Sequence, residues 1–145
     1  MLACTTPEQL EAFLSSYEDP SKQARQRELV AKGVESPLVG YALWHYHRII
    51  GQIDDALATA GPWLAGETFS LADTGLFPYL NRFHDLGLDR LWQGRAKYLD
   101  WVARMKARPS YAKAIGNVVD PKVIEFSQSC VAKVKPQLDA IMAEL

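Results

Sequence analysis

Residues 61–73 read GPWLAGETFSLAD, a loop that turns into a helix. In the loop half, Gly66 permits a turn before Phe69, while Trp63 and Leu64 are apolar side chains that need cover. The helix half is a capping device. Ser70 at the N-cap is placed to accept from the N–H of Asp73, and the Asp73 carboxylate is placed to reach back to the N–H of Ser70, so two otherwise unpaired donors are satisfied together. Asp73 also sets a negative charge at the positive end of the helix dipole. Loss of such a cap costs ~1 kcal/mol, and more where the helix start is buried. At this position Asp73 reads as structural rather than as an acid or base.

On both sides of this segment the chain is punctuated for helices. Thr6-Pro7, Asp19-Pro20, Ser36-Pro37 and Asp120-Pro121 each place a capping side chain before a proline, which the first helical position tolerates because its N–H would be unpaired anyway. Thr6 and Gln9 repeat the capping-box spacing, and Gly33 and Gly61 stand where helices should stop in a left-handed conformation. A helix is expected over 37–60, with Ala42, Tyr46, Ile49, Ile53, Ala56 and Leu57 as its core stripe. Further helices are expected over 71–86, bent at Pro78, and over 93–107, where Tyr98, Leu99, Trp101, Val102 and Met105 recur. After a short turn at Ser110 to Ile115, a last helix carries Val123, Phe126, Val131, Val134, Leu138, Ile141 and Met142, with Pro136 expected to kink or divide it. No strand alternation or internal repeat occurs. The fold class expected is all-α, a helical bundle in one domain over residues 1–145.

Composition narrows the function. Sixteen Lys and Arg against seventeen Asp and Glu leave a net charge of −1, so no field favours phosphate backbones or anionic lipid, and nucleic acid and membranes are not expected partners. Cys4 and Cys130 lie in no C-x-x-C or Cys/His spacing, so neither a disulfide framework nor a zinc site is indicated. No signal-peptide pattern or long apolar run is present, and a cytoplasmic setting is expected. His45 and His47 cannot share a metal from a regular helix, because residues two apart point about 200° from one another; metal binding is not expected. No G-x-S-x-G, H-E-x-x-H or Gly-rich phosphate loop suggests another enzyme class.

The pattern W-L-A-G-x-x-F-S-L-A-D from Trp63 to Asp73, then Pro78-Tyr79-Leu80, then W-x-x-R-x-x-x-R-P-S-Y from Trp101 to Tyr111, resembles the C-terminal domain of the cytosolic glutathione transferase superfamily. The resemblance covers nearly the whole chain. Glu35-Ser36-Pro37 before a long helix and the late Asp120-Pro121-Lys122 are most similar to bacterial members related to the β-etherases and hydroquinone dehalogenases. One departure stands out: the family often pairs an apolar residue before the N-cap with another four positions into the helix, and here that pair is Phe69 and Thr74, whose methyl group is a weak staple.

The resemblance implies that glutathione is the thiol and that a separate thioredoxin-like domain binds and activates it. This sequence opens on a helix signal, so that domain is expected to be missing and no glutathione is expected to be bound by this chain alone. No catalytic residue is nominated. The resemblance implies that the helical domain supplies one wall of a hydrophobic substrate site and part of a dimer contact. Candidates for that wall are Tyr41, Trp44, His45 and Arg48, spaced i, i+3, i+4 and i+7 on one helix face; the rings could stack on a substrate ring and Arg48 could meet an acidic group. Alternatively, Tyr41 and Trp44 pack against a neighbouring helix. Expected partners are a hydrophobic small molecule and a thioredoxin-like domain or a second copy. The other functional reading is a non-catalytic assembly module of the same fold.

Overall fold

Each proline-marked start opens a helix in the computed structural model, which describes residues 6–145. The chain divides into two compact units, the first ending at Ala42 and the second formed by Leu43–Leu145. In the first, α1 (Pro7–Ser15) starts at Thr6, whose Oγ1 accepts from Gln9 N–H at 3.3 Å while the Gln9 side chain accepts from Thr6 N–H at 3.1 Å. Asp19 caps α2 (Pro20–Lys32) through the N–H groups of Ser21 and Lys22. Gln23 Nε2 donates to the Leu14 carbonyl at 3.2 Å, tying the end of α1 to α2. Gly33, at φ 55°, stops α2, and a 3₁₀ turn Gly33–Glu35 leads to the buried Ser36. The Ser36 hydroxyl donates to Glu28 at 3.1 Å and accepts from Leu38 N–H at 3.2 Å, opening α3 (Pro37–Ala60).

The second unit contains most of α3, then α4 (Leu71–Leu86), a 3₁₀ turn Asp89–Trp92, α5 (Ala96–Lys106), α6 (Pro109–Tyr111) and α7 (Pro121–Ala143). Helix α6 widens into a π turn, with Asn117 N–H bonded to the Ala112 carbonyl at 2.8 Å. Among the described residues there is no strand, only an isolated bridge in which Trp63 and Gly66 exchange backbone hydrogen bonds. Gly87, at φ 71° and ψ 34°, ends α4 in the left-handed conformation, and Leu88 N–H closes back onto the Phe83 carbonyl.

The core corrects the reading of α3. Its buried apolar residues are Leu43, Ile50, Ile53 and Leu57, so the stripe is rotated from the expected one; Ala42, Tyr46, Ile49 and Ala56 are only partly covered. Tyr46 instead meets Phe83 of α4, ring centroids 4.2 Å apart. Helix α5 begins at Ala96, not 93, because residues 89–92 form the 3₁₀ turn and Gly94 takes φ 78°. Tyr98, Trp101, Val102 and Met105 are buried as expected, while Leu99 is exposed. Arg95 offers no side-chain cap to α5; Asp54 of α3 accepts from the Tyr98 N–H at 2.8 Å and supplies the cap from outside. Helices α4 and α7 run unbroken through Pro78 and Pro136. In α7 only Leu138 and Met142 are buried; Val123 and Phe126 lie exposed.

Candidate functional site

Asp73 is wholly buried and its carboxylate accepts four hydrogen bonds. Oδ1 takes the Leu64 N–H at 3.0 Å and the Trp101 indole N–H at 2.8 Å, and Oδ2 takes the Ser70 N–H at 2.9 Å and the Ser70 hydroxyl at 3.0 Å. Ser70 Oγ in turn accepts from Ala72 N–H at 3.2 Å. Burial by itself pushes the Asp73 carboxyl up, but the donors at Leu64, Trp101 and Ser70 outweigh it and hold the group below its ordinary range. An ionised carboxylate offers about four lone-pair sites, and here all are filled. Asp73 therefore has neither access to a substrate nor a free lone pair for a proton. It joins the loop, α4 and α5.

The arginines of the Trp101–Tyr111 motif close on the same loop. Arg104 donates to the Pro62 carbonyl at 2.7 Å and lies 5.7 Å from the Trp63 ring centroid, and Arg108 stacks 3.6 Å from the Phe69 centroid. The Trp63–Asp73 and Trp101–Tyr111 motifs thus form one packed cluster.

The solvent side of α3 is different. A groove of about 340 Å³ is lined by Trp44, His47, Arg48, Gly51, Gln52 and Asp55 of α3, by Arg95 and by Leu145. Trp44 is 40% exposed, and the Arg48 guanidinium carbon lies 5.5 Å from its ring centroid. Gly51 allows Arg95 to approach: a Cβ there would stand 3.1 Å from an Arg95 guanidinium nitrogen. Of the expected site residues, the structure brings Trp44 and Arg48 into this groove. His45 stacks edge-on against Trp44 at 4.8 Å without lining it, and Tyr41, exposed on the same helix, does not line it either. His47, Gly51, Gln52, Asp55, Arg95 and Leu145 line the groove without having been nominated from the sequence. Continuing the 44/48 spacing along the helix gives 51, 52 and 55, which reach the groove; nothing local marks Arg95. Two guanidiniums, an aromatic face and one carboxylate suit a planar anion, with Arg supplying paired donors and the indole a stacking surface.

His84 lies outside this groove. Its ring stacks on Trp92 at 3.9 Å and its Nε2 is 2.9 Å from the hydroxyl of the buried Tyr98. Burial, helped by the positive charge of Lys106 and opposed by Asp89, pulls its pKa down to about 4. The imidazole is neutral at physiological pH and serves packing. Among the described residues no three His, Cys, Asp or Glu side chains are grouped to hold a metal ion. Cys130 is a free, half-buried thiol, and Cys4 lies outside the described residues. Among the described residues no helix is long and apolar enough to cross a membrane.

Residues 24–104 match the family described as glutathione S-transferase, C-terminal domain. The chain is also 33% identical over 86 residues to the 2,5-dichlorohydroquinone reductive dechlorinases of two Sphingobium indicum strains, an alignment that covers 57% of this chain and 25% of each relative. The chain thus spans about a quarter of the length of the curated relatives it matches. No solved structure matches.

Proposed function

The chain belongs to the glutathione S-transferase family through its C-terminal domain, and from that membership we propose that it contributes the substrate-binding surface of a glutathione-dependent transferase. Thiol activation then falls to a thioredoxin-like domain, and the proposed setting is the cytoplasm, to which the sparse cysteines are suited. The proposed ligand is an aromatic compound carrying an acidic group, held in the α3 groove. The observation that carries this reading is the Arg48 guanidinium over the exposed Trp44 ring, with Arg95 across the groove. The ring would lie in the groove beside Trp44 while the acid pairs with the two guanidiniums; Asp55 limits the positive field.

Titration calorimetry with 4-chlorobenzoate as probe tests this. Saturable binding is expected, and Arg48→Met or Arg95→Met should each weaken it about 10- to 100-fold, the scale of a lost charge-assisted hydrogen bond. Trp44→Ala should weaken it too. Binding that is absent, or unchanged in all three variants, would overturn the reading.

A second reading, contact with another subunit or an assembly partner, draws on the apolar side chains left outside. Leu71 is 87% and Tyr79 65% exposed on α4, and Val123 and Phe126 are exposed on α7. Light scattering across a concentration series is expected to show a dimer that Leu71→Glu combined with Tyr79→Glu converts to monomer. A strict monomer at all concentrations counts against self-association as the use of this face.

A further inference from the structure

A second cavity, of about 320 Å³, opens between the start of α4 and the π turn after α6, and it shares no lining residue with the α3 groove. Its buried lining residues are Phe77 and Met105. Phe69 and Tyr111 add aromatic walls, Tyr111 standing edge-on to Phe77 at 5.8 Å. Two sequence features hold it open. Thr74 occupies the staple position where a larger apolar residue would fill the space against Phe69, and its hydroxyl turns to the Ser70 carbonyl at 3.3 Å. The π turn brings the small Ala114 to the rim, and such turns often mark sites of function.

We propose that this cavity is a binding site for an uncharged, single-ring aromatic compound bearing a hydroxyl group, a phenol of cresol size. Ligand sites of ≈ 300–1,000 Å³ that are mostly apolar with a few polar groups take small organic molecules, and this cavity lies at the lower end of that range. Every charged residue is absent from its lining; the polar groups are the hydroxyls of Thr74, Ser110 and Tyr111. The nearby cation, Arg108, is engaged with the Phe69 ring. Burial and the nearby Asp85 charge together raise the Tyr111 phenol's pKa, so Tyr111 remains a neutral hydrogen-bond donor. Aromatic walls at fixed angles favour a ring with edge and face contacts over a flexible chain.

The test is an amide-correlation NMR titration of the full chain with p-cresol, and with p-toluate as its carboxylate counterpart. Expected are saturable shifts at Phe69, Thr74, Ala114 and Ile115 with p-cresol, and at least tenfold weaker binding of p-toluate at those positions. Thr74→Leu, which rebuilds the staple and fills the space, should weaken p-cresol at least tenfold; Ala114→Leu, narrowing the opposite wall, should do the same and covers the case in which Thr74→Leu rearranges the helix start. The proposal fails if the shifts do not saturate, centre on Trp44 and Arg95 instead, favour p-toluate, or keep their affinity in both variants. Because the groove residues are untouched by these variants, this outcome is separate from that of the 4-chlorobenzoate experiment.

Discussion

Asp73→Ala is expected to lower the unfolding free energy by about 3–5 kcal/mol, a large share of the ~5–15 kcal/mol that holds a typical domain together. The reason is the number of donors left behind. Removing the carboxylate strands the N–H groups of Leu64 and Ser70, the Ser70 hydroxyl and the Trp101 indole N–H, and Trp101 is itself fully buried, so water cannot readily replace the lost acceptor. Asp73→Asn keeps the shape but turns an NH₂ group toward donors, and should lose about 2–3 kcal/mol. Trp101→Phe removes one of the four bonds and also leaves part of the buried indole volume empty, so it should be destabilising in its own right. Urea denaturation followed by circular dichroism measures all three. The carboxyl is depressed in the folded chain, so its contribution is fully present above the unfolded value near 3.8 and is lost as pH falls through the lower folded value. The gap between wild type and Asp73→Asn should therefore narrow in strong acid. An Asp73→Ala protein within 1 kcal/mol of wild type, on the scale of an ordinary exposed cap, would show that the four bonds are not energetically engaged.

The second large effect is a loss of stability between pH 6.5 and about 4, set by His84. The unfolded chain takes up this proton near 6.5 and the folded chain only near 4, so within that window the unfolded state binds more protons and stability falls as pH falls. Above pH 6.5 the group is neutral in both states and adds no slope; below 4 it is charged in both. Allowing for the partial exposure of the ring, the loss is on the order of 1–2 kcal/mol. His84→Gln keeps a polar partner for the Tyr98 hydroxyl without a titrating ring, and should flatten the pH dependence across this window. The direct check is the His84 ring carbon shift by NMR. Titration near 6.5 in the folded protein would remove the basis of the effect.

Local chemistry is what made this fold legible. The starts of α1, α2, α3, α4 and α7 are written in contacts spanning two to four residues, between a capping side chain and the N–H groups just after it, so the residues that make them stand side by side in the sequence. The spacing of Trp44 and Arg48 along one helix is local in the same sense, and both line the α3 groove. Where a feature joins distant segments, sequence order carries no signal for it. The Asp73 carboxylate and the Trp101 indole are 28 positions apart, and Asp54 and the start of α5 it caps are 44 apart. Arg95 comes to the groove from a different part of the chain and lies against Gly51 of α3. The α3 stripe was misplaced for a related reason. That helix carries apolar residues around more than one face, so periodicity alone offers several stripes, and packing within the unit selects Leu43, Ile50, Ile53 and Leu57. The all-helical class, the starts of α1, α2, α3, α4 and α7 and the cap at Ser70 and Asp73 were thus legible in the residues alone. Only the tertiary structure decided which face of α3 is core, that Asp73 is saturated with donors rather than free for chemistry, and where the two cavities open, because each of those depends on side chains brought together across loops.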